Sequence, residues 1–134
     1  MFANEKQLYN ALKDSFIPDL KPSEKPMARY DCYSILHNID IELKCRKRHY
    51  DELLIEKKKY DSLILRASNF GTSPVYINST PLGVWAFRIL EIDQPDWETR
   101  GMPKTSEFSQ RHFIDKVVGY YHVDLGVNIT EKIK

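Results

Sequence analysis

From Ile39 to Cys45 every odd position is apolar (Ile39, Ile41, Leu43, Cys45) and every even one is charged (Asp40, Glu42, Lys44). Successive side chains of a strand point to opposite faces, so this run reads as a β-strand with a core behind it and three charges in front. His37-Asn38 just before it supplies turn chemistry, because Asn tolerates the left-handed backbone. Residues 29–48 therefore read as a hairpin. With a two-residue turn, Leu36 pairs with Ile39, Tyr33 with Glu42, and Asp31 with Lys44. Asp31 then shares a face with Glu42 and Lys44, opposite the lysine and diagonal to the glutamate. A slip of one residue would turn it to the other face. Two carboxylates beside one ammonium on a half-buried face are costly to assemble without a further cation, and a divalent metal with oxygen preference would neutralise them.

The chain has 134 residues, enough for one domain with a core and too few for two, so 1–134 is read as a single domain. With 42% hydrophobic and 29% charged residues it has an ordinary globular composition, not that of a disordered chain. Its net charge of +1 means that any nucleic-acid contact must come from uneven placement of charge. No apolar run approaches the roughly 18 residues of a membrane helix, and MFANEKQLYN lacks the order of an export signal. These readings predict a cytoplasmic protein without membrane contact. Cys32 and Cys45 are expected as reduced thiols, diagonal neighbours on the apolar face of the hairpin.

Residues 4–16 predict a first helix with Asn4 as N-cap, Gln7 three positions on, and an apolar stripe of Leu8, Leu12 and Phe16. Glu5 heads that stripe. It either complements the helix dipole or reaches toward the charged face of the hairpin. Residues 18–26, with three prolines, read as an ordered loop. Tyr50 to about Ala67 predicts a second helix with Tyr50, Leu53, Leu54, Tyr60, Leu63 and Ile64 inward. Its outer face and the preceding turn hold Arg46, Lys47, Arg48, Lys57, Lys58, Lys59 and Arg66, the most basic stretch of the chain. Concentrated positive charge suits phosphate binding, and the interleaved Asp51, Glu52, Glu56 and Asp61 equally fit a solvated helix face. Strands are expected at Val75–Thr80 and Val84–Leu90, joined by Pro81-Leu82-Gly83. Strand, helix and strand from Ile39 to Ser79 then form a crossover that places the third strand parallel to the second. Residues 91–110 read as irregular, Lys116–Val123 as a last strand, and the terminal residues as frayed. Tyr76, Trp85 and Phe87 sit at core spacing; if exposed, they would offer a stacking platform for bases.

Glu/Asp-x-Lys is weak as a string, recurring at Asp19-Leu20-Lys21 and Glu56-Lys57-Lys58. Only Glu42-Leu43-Lys44 lies on an alternating strand with a second carboxylate, Asp31, brought opposite by a hairpin. A helix bearing a glutamate, a hairpin bearing Asp and then Glu-x-Lys, a crossover helix and a parallel strand together resemble the core of the PD-(D/E)xK nuclease superfamily. That superfamily includes restriction endonucleases, Holliday-junction resolvases and small phage nucleases. The likeness covers about the first two thirds of the chain, and YINSTPLGVWAF and PKTSEF are similar to segments of small phage-encoded proteins. Tyr30 replaces the proline that precedes the aspartate in the family pattern, and the strand before it is hard to see between Ile17 and Met27.

The resemblance implies an α/β fold with a restriction-endonuclease-like αβββαβ core, a mixed sheet flanked by helices, and a C-terminal β extension. It implies a Mg²⁺-dependent DNA endonuclease, with Mn²⁺ able to substitute, acting on branched or host DNA in a phage context and tending to dimerise. Asp31 and Glu42 would be its metal ligands with the carbonyl of Leu43, Lys44 the catalytic lysine, and Glu5 the helix glutamate of the resolvase branch. Arg46, Lys47, Arg48, Lys57 and Lys58 would meet the DNA. The residue types suit phosphodiester hydrolysis. Two rival readings stand beside it: an inactive nucleic-acid-binding or protein-interaction module on the same fold, and a plain cross-strand salt bridge worth under about 1 kcal/mol.

Overall fold

The computed structural model describes residues 2–23, 31–103 and 113–133. Its elements, in chain order, are α1 (Glu5–Ser15), β1 (Lys21–Pro22), β2 (Cys32–Ser34), β3 (Ile39–Cys45), β4 (Glu52–Glu56), α2 (Lys57–Phe70), β5 (Ser73–Thr80), β6 (Gly83–Arg88), β7 (Glu98–Pro103), β8 (Phe113–His122) and β9 (Val127–Asn128). Short 3-10 turns occupy Val123–Leu125 and Thr130–Lys132. Six strands form one sheet in the order β1-β2-β3-β5-β6-β9, and β4-β8-β7 form a second. In the larger sheet β3 and β5 run parallel and every other pair is antiparallel. This is the expected αβββαβ core with a mixed sheet, flanking helices and further strands toward the C-terminus.

Local chemistry accounts for the boundaries. Asn4 caps α1 by accepting from the Gln7 N–H (2.9 Å), while the Gln7 side chain accepts from the Ala3 N–H. Leu8 and Leu12 of α1 pack with Ile39, Ile41 and Leu43 of β3 and Val75 and Ile77 of β5 in a dry cluster. Full burial of each such side chain contributes about 1.5–3 kcal/mol. On the opposite face of the sheet, α2 inserts Tyr60 and Leu63 among Tyr76, Phe87, Leu53, Ile55 and Tyr121. Gly71 ends α2 with φ 65°, a left-handed conformation that suits glycine at a helix C-terminus.

The hairpin differs from expectation in register and keeps its faces. Ser34 pairs with Ile39, Tyr33 with Asp40, and Cys32 with Ile41, so the loop is the four residues 35–38 instead of two. Asp19 fixes this longer loop, accepting from the Ser34 hydroxyl (2.6 Å) and the Leu36 N–H (2.9 Å), and Asn38 takes the left-handed conformation at φ 55°. A two-residue shift leaves every side chain on the face expected of it. It also moves Cys32 out of diagonal reach of Cys45; both thiols are free.

Other boundaries moved. The residues just before Lys57 do not start the helix: Glu52–Glu56 is β4, because Leu53 pairs with Tyr121 and Ile55 with Gly119 on β8. A short apolar run is ambiguous between helix and strand until its partner is known. Tyr50, expected inward, is 56% exposed. Helix α2 runs on through Asn69 and Phe70, and β6 ends at Arg88, short of Leu90. Residues 98–103, expected to be irregular, form β7 against β8, while 104–110 lie outside the described residues. The last described residues are packed, not frayed: Ile129 and Ile133 join the α1-side cluster, and the Ile129 N–H donates to the Val84 carbonyl (2.8 Å). The strand sought before Asp31 is the two-residue β1, pairing Lys21 with Tyr33 and Pro22 with Cys32. Residues 24–30, with Arg29 and Tyr30, lie outside the described residues.

Candidate active site

Because Ile39, Ile41 and Leu43 belong to the α1-side cluster, alternation sends Asp40, Glu42 and Lys44 to the face that α2 covers. Asp31 immediately precedes β2, and continuing the pairing one step back from Cys32–Ile41 sets it across from Glu42, not Lys44. Both carboxylates are buried, Asp31 to 5% exposure and Glu42 to 7%. Burial, together with the neighbouring Asp31 carboxylate, raises the Glu42 pKa to about 9. Apart from the Glu42 carboxyl, Asp31 Oδ1 has no hydrogen-bond partner among the described residues.

Lys44 lies one step further along the same face. Burial lowers its pKa and the Arg46 guanidinium lowers it further, opposed by the carboxylates of Glu5, Glu56 and Glu42. Glu5 reaches the end of β3 from the first turn of α1, where its Oε2 accepts from the Cys45 N–H at 2.8 Å. The carbonyl of Leu43 sits in the backbone between Glu42 and Lys44. Asp31, Glu42, Lys44 and Glu5 are therefore brought to one neighbourhood.

Among the described residues no three His, Cys, Asp or Glu side chains form a cage that would hold an ion unaided. Mg²⁺ does not need one: it keeps several waters and binds through one or two carboxylates. A buried carboxylate oxygen with no N–H or hydroxyl donor among the described residues, beside an acid whose pKa burial raises, fits such a hydrated divalent ion.

No protein-family model and no curated protein matches the sequence. Among solved structures, the chain is similar to Hjc of Archaeoglobus fulgidus, a Holliday junction resolvase from an archaeal hyperthermophile. The match has a TM-score of 0.55 and 13% identity, covering 91% of this chain and 88% of that one. The fold is resolvase-like.

Within the resolvase-like fold the basic residues divide. Lys47, Arg48 and Lys58 are exposed. Lys57 is paired with Asp61 (2.8 Å) and lies over the Trp97 ring. Arg46, expected to face DNA, is turned into the protein instead: it donates to Asn78 Oδ1 (3.2 Å), the Tyr76 hydroxyl (3.1 Å) and the Leu54 carbonyl, tying β3, β4 and β5 together. Arg66, placed by sequence on the outer face of α2, is 8% exposed and points at the site. Its Nη1 is 3.1 Å from Asp31 Oδ2, its Nε 3.0 Å from Asp40 Oδ1, and its Nη2 donates to the Ile41 carbonyl at 3.1 Å. Asp40, beside the turn, is 3% exposed and also accepts from the Thr72 hydroxyl.

Sequence reasoning also passed over Lys59, whose charge favours ionised Glu42, and Glu56, which bears on Lys44 while paired with Lys116 (3.3 Å). A signal for Arg66 was present: with Tyr60, Leu63 and Ala67 it completes the inward stripe of α2 at helical spacing. Tyr76 and Phe87 are buried, which removes them from any base-stacking platform.

Proposed function

We propose that this protein is a metal-dependent endonuclease that hydrolyses phosphodiester bonds of branched DNA. The observation that carries the reading is the convergence of Asp31, Glu42 and Lys44 on one buried face of the hairpin, within a fold shared with a Holliday junction resolvase. Asp31 and Glu42, with the Leu43 carbonyl, would hold Mg²⁺, for which Mn²⁺ substitutes. When bound, the ion acidifies a water and draws charge from the phosphate. Lys44 presents its ammonium beside the two acids, where it orients the attacking water and offsets charge gathering on the phosphoryl oxygens. A compact ammonium on a flexible stem suits that task better than a guanidinium. Glu5, anchored by the Cys45 N–H, holds further negative charge close to Lys44 and keeps the end of β3 in place.

The exposed Lys47 and Arg48 follow the catalytic strand directly, and Lys58 and Lys59 stand on the first turn of α2. No carboxylate lies in that turn and Glu56 makes no side-chain cap, so its N–H groups and lysines are available to a phosphate backbone. DNA is the proposed partner, a homodimer the proposed working form, and the host cytoplasm of a phage the proposed setting.

The test is cleavage of a synthetic four-way junction and nicking of plasmid in Mg²⁺ or Mn²⁺, with Asp31→Asn and Lys44→Ala as controls. Cleavage by the parent and none by the variants is expected. A parent that cuts neither substrate while binding DNA as the variants do would sink the reading. The guanidinium already seated on Asp31 favours a second reading, an inert DNA-binding relative in which Arg66 replaces the ion, and that outcome would establish it.

A further inference from the structure

Arg66 belongs to none of the residues assigned to the reaction above, yet it makes the closest charged contact to the site. Its three nitrogens are each committed: Nε to Asp40 Oδ1, Nη2 to the Ile41 carbonyl, and Nη1 to Asp31 Oδ2. Asp40 in turn is held by the Thr72 hydroxyl, just past the end of α2. The charge of Arg66 is shared between two carboxylates, those of Asp40 and Asp31. Asp31 also gains an orientation. One of its oxygens is fixed on Nη1, and the other, Oδ1, is buried and among the described residues has no donor but the Glu42 carboxyl beside it. A guanidinium is a rigid planar fork, so clamping two of its edges fixes the direction of the third.

We propose that Arg66 is a positioning residue for Asp31: the Thr72–Asp40–Arg66 chain locks the aspartate so that Oδ1 is offered to a divalent cation. This rests on the nuclease reading and extends it by three residues of the crossover. Partners of metal ligands commonly act in this way, and their loss costs about 10–100-fold in metal affinity.

The experiment is Mn²⁺ binding to the full chain by titration calorimetry, with thermal melting of each variant alongside. Arg66→Lys keeps the charge and removes the fork. Arg66→Gln removes the charge and keeps an amide that can reach only one aspartate. Positioning predicts that both weaken Mn²⁺ binding, by about 10-fold or more, even though in Arg66→Gln the loss of a nearby cation should by itself tighten it. Thr72→Val, which leaves all charges in place, should weaken it by a smaller factor and decides the matter if the arginine variants fail to fold. Unchanged affinity with a lowered melting temperature would reduce Arg66 to a structural role. Tighter binding by Arg66→Gln would make it a competitor of the ion. Either result overturns the proposal. If the parent shows no Mn²⁺ binding that Asp31→Asn removes, it is the nuclease reading that has failed, and positioning goes with it.

Discussion

The two faces of β3 are hidden almost equally and do opposite things. Toward α1, Ile41 and Leu43 are 0% and 2% exposed among aliphatic neighbours. Toward α2, Asp40 and Glu42 are as deeply placed as a core residue, in company with Arg66, Asp31 and Lys44. Burying aliphatic groups drives folding. Burying charges opposes it unless each is paired, and replacing buried ion pairs by apolar groups of like volume is often neutral or stabilising. One face is thus explained by stability alone. The other is not, which is why the proposed site is placed there.

The contrast can be broken from either side. The largest expected effect is on the dry face: Ile41→Ala should cost about 2–5 kcal/mol in denaturant unfolding while leaving cleavage per folded molecule unchanged. Lys44→Ala should do the reverse. It should lower single-turnover cleavage by about 10²–10³-fold, equivalent to about 2.7–4 kcal/mol, with little change in the unfolding midpoint. A midpoint shift as large as that of Ile41→Ala would show that the charged face is structural after all.

Third comes pH. Glu42 is held protonated by burial and by Asp31, so from the ordinary glutamate value up to about 9 the folded chain binds more proton than the unfolded one. Without divalent ions, stability should therefore fall as pH rises through that window, with a ceiling of about 1.4 kcal/mol per pH unit from this group. Glu42→Gln should flatten the slope, and urea titrations at successive pH values read it directly. The smallest effects belong outside both faces. Lys47→Ala and Lys58→Ala should each weaken DNA binding modestly, whatever the sequence, and reduce the salt dependence of log K by about 0.7–0.9. Arg46→Ala should instead lower stability, since its guanidinium faces Asn78 and Tyr76.

The same contrast explains what could be read from the chain beforehand. Strict alternation at 39–45 fixes both faces without knowledge of the partner strand, so the neighbourhood of Glu42 and Lys44 was legible. Helix α1 and the parallel β3–β5 crossover follow from local caps, periodicity and connection rules. Features set by distant partners were not legible. Glu52–Glu56 becomes a strand only because β8 lies beside it, and residues 98–103 pair with that same strand from its other side. Asp40 reads as a residue beside a turn until Arg66 arrives from 26 positions away. Arg46 looks like its exposed neighbours in composition, and only the acceptors found inside distinguish it, whereas Arg66 is set apart by its helical spacing from Tyr60, Leu63 and Ala67.

The loop at 35–38 has a consequence for how this molecule tolerates change in length. A change of length confined to the loop leaves the Ser34–Ile39 pair and the pairs beyond it in place, whereas one residue added between Asp31 and Ser34 would rotate Asp31 to the aliphatic side. Relatives that retain the chemistry should therefore vary this loop freely in length and keep the spacing from Asp31 to Ser34. A residue inserted within that spacing would have to be absorbed by a bulge.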